Sequence, residues 1–240
     1  LTALDVSNNT ALEELYCDEN QLTALDVSRN TALKRLGCGI NQLTTLDVSK
    51  NTALTGLWCY ENQLTTLDVS RNTALTTLSC WGNQLTALDV SKNTALKEWS
   101  CEKNTYDITL NASRSYDLSK LPGSFDVSKA KSWNGCTIQG SIIKVNAGVN
   151  EVSYTYDCGN GKTMPVTLNV VGVEAPPATY TVRFNANGGY GSMAAVSNIS
   201  GPYTLPSCTF EAPSGKQFKG WAVSPNGNVI TGNSYNITAD

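Results

Sequence analysis

Hydrophobic and polar positions follow the same order five times over residues 1–104. The segment 22–42, LTALDVSRNTALKRLGCGINQ, returns with few changes as 43–63 and as 64–84, so the period is 21 residues. Each period contains two phrases, LxxLDVSxN and LxxLxCxxN, in which apolar residues alternate with polar ones before an Asn. Alternation of this kind is typical of short β-strands, and self-similarity at a fixed period indicates a solenoid.

Both phrases fit the leucine-rich-repeat pattern LxxLxLxxN. Neither phrase has apolar residues at helical spacing, so a helix is not expected in the repeat. We therefore predict a mainly β fold in which residues 1–105 form a flattened solenoid. Two parallel strands per 21-residue repeat would build one sheet on each broad side. This pattern resembles the 21-residue class of leucine-rich repeats found on bacterial surface proteins.

Two residue types occupy fixed inward positions of the repeat. The cysteines of the second phrase stand where the pattern requires an apolar side chain: Cys17, Cys38, Cys59, Cys80 and Cys101. We interpret them as small buried hydrophobes, since no His and no CxxC accompanies them as a metal site would require. Strands about 4.8 Å apart hold such side chains too far apart for a relaxed disulfide. Each phrase also ends in an Asn, whose amide can bind backbone groups at a turn.

The outward positions of the second phrase vary, and four of them are aromatic. We predict that Tyr16, Trp58, Tyr60 and Trp81 share one exposed face, with Asp18 and Glu61 beside them. Gly37 and Gly39 should leave a notch between Tyr16 and the other rings. Exposed clusters of aromatic residues often mark a contact surface. The alternatives are that aromatic residues simply favour strands, or that the face meets a neighbouring domain.

The period is lost after residue 105, where a different β-rich segment begins. Short alternating segments separated by Gly/Asn turns over 106–172 predict a small β-sandwich, which resembles the Ig-like modules of bacterial surface proteins. Whether Cys136 and Cys158 are bridged is left open. Trp99 replaces the Leu of the earlier repeats, and its larger side chain suits a cap over the end of the solenoid core.

Residues 180–240 resemble a named module. The segment YTVRFNANGGYGSM and the later QFKGWAV match the Listeria–Bacteroides repeat, or internalin B-repeat, a small β-grasp-like fold. The matching residues are Val182, Phe184, Asn187, Gly188, Gly189, Leu205, Pro206, Phe218, Gly220 and Trp221. The resemblance implies that Phe184, Phe218 and Trp221 form the core. It also implies a further C-terminal strand that is not in this sequence, so we expect a truncated module with an unpaired edge.

The order of leucine-rich repeats, Ig-like module and B-repeat is that of internalins. The resemblance implies a bacterial protein that is secreted or displayed on the cell surface, with a recognition array on spacer modules. The sequence starts in the middle of a repeat, so we expect any signal peptide to lie upstream of it. The 21-residue repeat is shorter than the internalin unit, so the partners of internalins are not transferred.

Composition narrows the possible functions. The formal net charge of −3 and a pI near 5.1 argue against nucleic-acid binding, and no apolar run is long enough for membrane insertion. The absence of His excludes Ser-His-Asp and Cys-His catalysis, and we expect no catalytic residues, metal or cofactor. The predicted partner is a protein of a host or bacterial surface. The alternatives are a glycan stacked on Trp and Tyr rings, or a spacer without a ligand.

Overall fold

The computed structural model describes residues 1–225, 227–232 and 234–236, and these residues are mainly β. The chain divides into two compact units, Leu1–Ala175 and Pro176–Asp240. The predicted boundary between 105 and 106 lies inside the first unit. Helical structure in the described residues is limited to two 3-10 turns, Leu118–Lys120 and Val127–Lys129.

One strand from each 21-residue coil builds a parallel sheet. Its strands lie side by side in chain order: β1 Glu14–Tyr16, β2 Arg35–Gly37, β3 Gly56–Trp58, β4 Thr77–Ser79 and β5 Glu98–Ser100. The pairing is in register, so Leu15 lies opposite Leu36 and Leu36 opposite Leu57. This five-stranded parallel sheet is consistent with a leucine-rich-repeat-like solenoid.

The prediction of two strands per repeat is wrong, because the LDV phrase forms no strand in the described part of the solenoid. The reason is local hydrogen bonding. The backbone N–H of Ser28 donates to Oδ1 of Asp26 at 2.9 Å, and the N–H of Asn30 donates to the carbonyl of Val27 at 3.0 Å. The other coils repeat both bonds, so an Asx turn at the Asp and a β-turn at the Asn bend the chain directly after the LDV residues.

The inward columns form the core of the solenoid. Its Leu and Val side chains are almost fully buried from the second coil onward, and the five predicted cysteines are buried with them. All five are free thiols, and the Cys17 thiol donates to the carbonyl of Gly37 at 3.4 Å. The inward placement of the cysteine column is therefore confirmed.

Asparagine side chains tie each coil to the one before it in two different ways. Asn62 donates to the carbonyls of Cys38, Cys59 and Tyr60, while its Oδ1 accepts from the N–H of Leu43 at 2.9 Å. The LDV-phrase residues donate to two carbonyls of the preceding coil: Asn30, Asn51, Asn72 and Asn93. The Oδ1 atoms of these four have no hydrogen-bond partner among the described residues.

The chain passes directly from the solenoid into two further sheets of the same unit. The first sheet has the order β6-β12-β11-β8, from β6 Asn104–Leu110, β8 Ala130–Asn134, β11 Glu151–Gly159 and β12 Lys162–Val173. The second has the order β7-β10-β9, from β7 Ser115–Asp117, β9 Cys136–Gln139 and β10 Ile142–Val145. Cys136 and Cys158 are both free thiols. The Ig-like interpretation of this segment stays a prediction.

Hydrogen bonds from both parts hold this module against the last solenoid coils. The hydroxyl of Tyr154 donates to the carbonyl of Thr86 at 2.7 Å, and the N–H of Val90 donates to the carbonyl of Cys158 at 2.9 Å. Trp99 packs at the edge of the core, where its indole N–H donates to the carbonyl of Thr163 at 3.3 Å. The large residue that ends the array therefore contacts the following module.

The second unit contains two antiparallel strand pairs in its described residues. β13 Tyr180–Val182 pairs with β14 Val196–Ile199, and β15 Pro202–Thr204 pairs with β16 Ser234–Asn236. The Trp221 ring lies 5.1 Å from the centroids of both Phe184 and Phe218. Phe218 is 49% exposed, so its expected core position is reached only in part. The expected edge beyond residue 236 lies outside the described residues, and the B-repeat fold stays a prediction.

Candidate functional site

The candidate surface lies on the outer side of the parallel sheet, where two columns of residues run from coil to coil. The first column is the last residue of each strand: Tyr16, Gly37, Trp58, Ser79 and Ser100. The second column lies two residues later: Asp18, Gly39, Tyr60, Trp81 and Glu102. We call Tyr16, Trp58, Tyr60 and Trp81 together the aromatic face. Successive residues of each column lie side by side because the strands pair in register.

The first column brings Tyr16 and Trp58 together over a glycine. Their ring centroids are 6.5 Å apart, with an interplanar angle of 41°. A Cβ added to Gly37 would lie 2.7 Å from Cδ1 of Tyr16. The indole of Trp58 lies over Gly56 of its own strand, where an added Cβ would clash with it. Tyr16 is the most open of the four rings, with 57% of its surface exposed.

The second column contains a closer stack. The rings of Tyr60 and Trp81 are 5.2 Å apart and only 7° from parallel. The other face of Tyr60 covers Gly39, since a Cβ there would lie 2.6 to 2.8 Å from three ring atoms. The ammonium group of Lys103 lies 5.5 Å from the centroid of a Trp81 ring, within the range of a cation–π contact.

The predicted notch is not open. Gly37 and Gly39 are both buried, because the Tyr16 ring and the Asp18 carboxylate lie over Gly37 and the Tyr60 ring lies over Gly39. A glycine in a strand often marks a place where another group approaches the backbone closely, and here that group is an aromatic ring from the neighbouring coil. The two glycines therefore seat the rings of the aromatic face.

Carboxylates surround the Tyr60 end of the aromatic face. Asp18 is partly buried, and its Oδ1 accepts from the N–H of Gly39 at 2.8 Å. Glu19 and Glu61 are exposed. Partial burial and the negative charges of Asp18, Glu19 and Glu61 raise the pKa of the Tyr60 hydroxyl. The predicted neighbours Asp18 and Glu61 are therefore both close enough to act on this ring.

The position after the second column has a left-handed backbone in every coil. Its residues are Glu19 (φ 55°), Ile40 (φ 51°), Glu61 (φ 46°), Gly82 (φ 66°) and Lys103 (φ 55°). Such a φ is unfavourable for a β-branched residue, yet Ile40 adopts it and keeps 37% of its surface exposed. The sequence interpretation missed Ile40 and Lys103 as members of this surface. Comparing all five residues of the column would have found both, because only they depart from acidic residues and glycine.

The residues that the structure describes contain no group of three or more His, Cys, Asp or Glu side chains positioned to hold a metal ion. They also contain no helix long and apolar enough to cross a membrane.

Comparison with known proteins gives likenesses among solved structures. No protein-family model matches the chain, and no curated protein matches it. A solved structure described as the functional domain of InlJ from Listeria monocytogenes, which includes a cysteine ladder, is 24% identical with a TM-score of 0.30. The alignment covers 72% of this chain and 60% of that one. This chain thus spans less than two thirds of the length of that structure.

Proposed function

We propose that this chain is a non-enzymatic recognition protein that is secreted by a bacterium or displayed on its surface, and that its aromatic face binds a protein partner. Residues 106–172 and 180–240 would act as an Ig-like spacer and a B-repeat spacer. The observation that supports this proposal best is the stacked pair Tyr60–Trp81 on the outer side of the parallel sheet. Large rings held in place offer contact area at a small cost in conformational entropy.

The orientation of the rings favours a protein over a sugar. A sugar that stacks on an aromatic residue needs a free ring face. The faces of Tyr60 are occupied by Gly39 and Trp81, and Lys103 lies over a Trp81 ring. The second column therefore presents ring edges, which suit the irregular side chains of a protein better than a flat sugar. Tyr16, the most exposed ring, is the residue that best supports the glycan alternative.

The surface location is proposed from the resemblance to internalins. The order of the three predicted modules matches a recognition array carried on spacers, and the resemblance of 180–240 to the B-repeat supports the same assignment. The role as a recognition protein without catalytic activity agrees with the lack of His in the sequence.

Selection from a display library of short random peptides on the immobilised chain tests this proposal. We expect the wild-type chain to enrich a defined set of peptides and the variant Y60A/W81A to lose at least tenfold of the affinity for them. Y190A is a matched control, because Tyr190 is an exposed aromatic residue of the second unit. Far-UV circular dichroism and thermal unfolding verify that each variant is folded.

Two outcomes would contradict the proposal. One is undiminished peptide binding by Y60A/W81A. The other is a glycan array on which the wild-type chain binds an oligosaccharide and Tyr16→Ala or Trp58→Ala abolishes that binding, which would establish the glycan alternative.

A further inference from the structure

The charges beside the aromatic face are not balanced. At its N-terminal side, Lys34 pairs with Glu13 at 2.8 Å and Arg35 pairs with Glu14 at 3.3 Å, so these two basic residues are neutralised by side chains of the adjacent coil. The other carboxylates beside the aromatic face, near Tyr60, are Asp18, Glu19 and Glu61. None of these three forms an ion pair within the described residues. The Tyr60 end of the aromatic face is therefore negatively charged.

An apolar side chain separates two of these carboxylates. Glu19, Ile40 and Glu61 occupy the same position of three successive coils. Parallel strands are about 4.8 Å apart, so the backbones of Glu19 and Glu61 are about 10 Å apart with Ile40 between them. All three side chains are exposed. The surface thus has an acidic residue, an apolar residue and a second acidic residue in line, directly beside Tyr60.

A basic side chain matches this line of residues. Lys and Arg carry an apolar stem with a charged end and bury the stem along apolar surface. The same end is attracted to aromatic rings, and Lys103 makes such a contact with Trp81 within this chain.

We propose that the partner presents a basic segment, with the stem of a Lys or Arg on Ile40 and its charge between Glu19 and Glu61. This inference rests on the proposed function, since it specifies the partner of the same aromatic face. Complementary charges raise association rates and exclude partners of the wrong sign. The site therefore selects basic over acidic protein segments, and Ile40 is a specificity-determining residue of it.

The peptide selection also tests this inference. The peptides enriched on the wild-type chain are expected to contain Lys or Arg at one or more fixed positions. The affinity of a selected peptide should fall at least tenfold in E19Q/E61Q and several-fold in Ile40→Asn, since Asn tolerates the left-handed backbone. The matched control E151Q/E174Q also removes two negative charges, at exposed positions outside the solenoid, and should change the affinity less than twofold. Raising the ionic strength from about 0.05 M to about 0.5 M should weaken wild-type binding and leave E19Q/E61Q nearly unaffected.

The outcomes separate this inference from the proposed function. If Y60A/W81A loses binding while E19Q/E61Q keeps it and the selected peptides are neutral or acidic, the basic partner is wrong and the aromatic face stands. If the wild-type chain enriches no peptide, or if neither double variant changes the affinity, both proposals are wrong.

Discussion

The rings of Tyr60 and Trp81, which belong to adjacent coils, lie 5.2 Å apart and 7° from parallel, and Tyr60 covers Gly39 on its other side. The stack therefore depends on a glycine that comes one repeat before Tyr60. Because the coils pair in register, the backbone of one coil sets the position of an aromatic side chain in the next.

Gly39→Ala should displace Tyr60 without unfolding the solenoid. The new methyl group would lie 2.6 Å from Cζ of Tyr60, closer than carbon atoms approach each other, so the ring must move away. We expect a loss of about 1 kcal/mol in the free energy of unfolding, at the low end of overpacking costs because the ring can move outward. A changed Trp81 emission would report the lost stacking. Gly172→Ala is the control, because Gly172 does not have a left-handed φ and its added Cβ would make only an ordinary contact with Cγ2 of Thr109 at 3.7 Å. An unchanged Tyr60 environment in G39A would contradict the predicted contact.

The two kinds of buried asparagine should differ in their contribution to stability. Asn62→Ala removes three donated bonds and leaves the N–H of Leu43 without its acceptor, so we expect a loss of about 3 kcal/mol. Asn51→Ala removes two donated bonds, and its Oδ1 has no partner in the described structure. We therefore expect a smaller loss of about 1.5 kcal/mol. Urea unfolding measures both.

Thr73→Ala, at an exposed position, serves as the control and should change stability by less than about 0.5 kcal/mol. Equal losses for Asn51 and Asn62 would show that the acceptor role of the Asn62 side chain adds nothing.

The inward columns were predictable from the sequence, while the missing LDV strand and the arrangement of the outer surface were not. A strict 21-residue period with alternating apolar positions places every Cys of the column inside, and the buried thiols agree with this. The LDV phrase has the same alternation but forms no strand, because the side chain of Asp26 binds the backbone N–H of Ser28. Side-chain capping of this kind competes with sheet pairing, and alternation of apolar residues does not reveal it.

The positions of the aromatic rings could also not be predicted from the sequence pattern. A column position indicates that Tyr60 faces outward, but the torsion angles of the side chain decide whether the ring stands away from the sheet or lies along it. Here it lies over Gly39, so the expected notch is filled. The left-handed backbone at Ile40 was equally hidden, because four of the five residues in that column are not glycine.

Substitutions in the left-handed column should have opposite effects on stability. Glu61 has a φ of 46° and Gly82, at the same position of the next coil, has a φ of 66°. Because this conformation costs a residue with a Cβ about 1 kcal/mol, Glu61→Gly should raise the free energy of unfolding by about that amount. Gly82→Ala should lower it by about the same amount, and its Cβ would also approach Cγ of Glu61 at 3.1 Å.

Glu61→Ala is the matched control, since it removes the same side chain but keeps the Cβ and should be close to neutral. A stabilised Glu61→Ala variant would indicate that charge repulsion, and not backbone strain, limits stability at this position.

Tyr154→Phe should destabilise the solenoid and the following module together. The hydroxyl is buried and donates to the carbonyl of Thr86 at 2.7 Å, so the variant leaves that carbonyl without this donor. We expect a loss of about 1.5 kcal/mol, with the same shift whether unfolding is followed by far-UV circular dichroism or by tryptophan fluorescence. Tyr116→Phe removes a hydroxyl that makes no hydrogen bond within the described structure and is the control. Separate transitions, only one of which moves, would contradict the coupling of the two parts.

The buried thiols should make the chain less stable at alkaline pH. Burial raises the pKa of Cys17 from its ordinary value of about 9 to about 11, and desolvation raises the pKa of Cys38 and Cys59 still further. At a pH between the ordinary thiol pKa and the raised pKa of the folded state, the unfolded chain has lost thiol protons that the folded chain keeps. The folded state therefore binds more protons in this range. The free energy of unfolding must then fall as the pH rises. The stabilisation from Cys17 is complete below pH about 9 and is lost as the pH rises through about 11, while the deeper thiols extend the loss to higher pH.

Urea unfolding at a series of pH values between about 8 and 11 measures this slope. Cys59→Val, in which Val takes the inward position it already holds in the LDV phrase, should flatten the slope while the fold is retained. A thiol reagent provides an independent measurement. The partly exposed Cys136 and Cys208 should react in the native state, and the five thiols of the column should react only after unfolding. Rapid modification of Cys59 in the folded chain, or stability that stays constant to pH about 11, would contradict the buried column as the origin of the pH dependence.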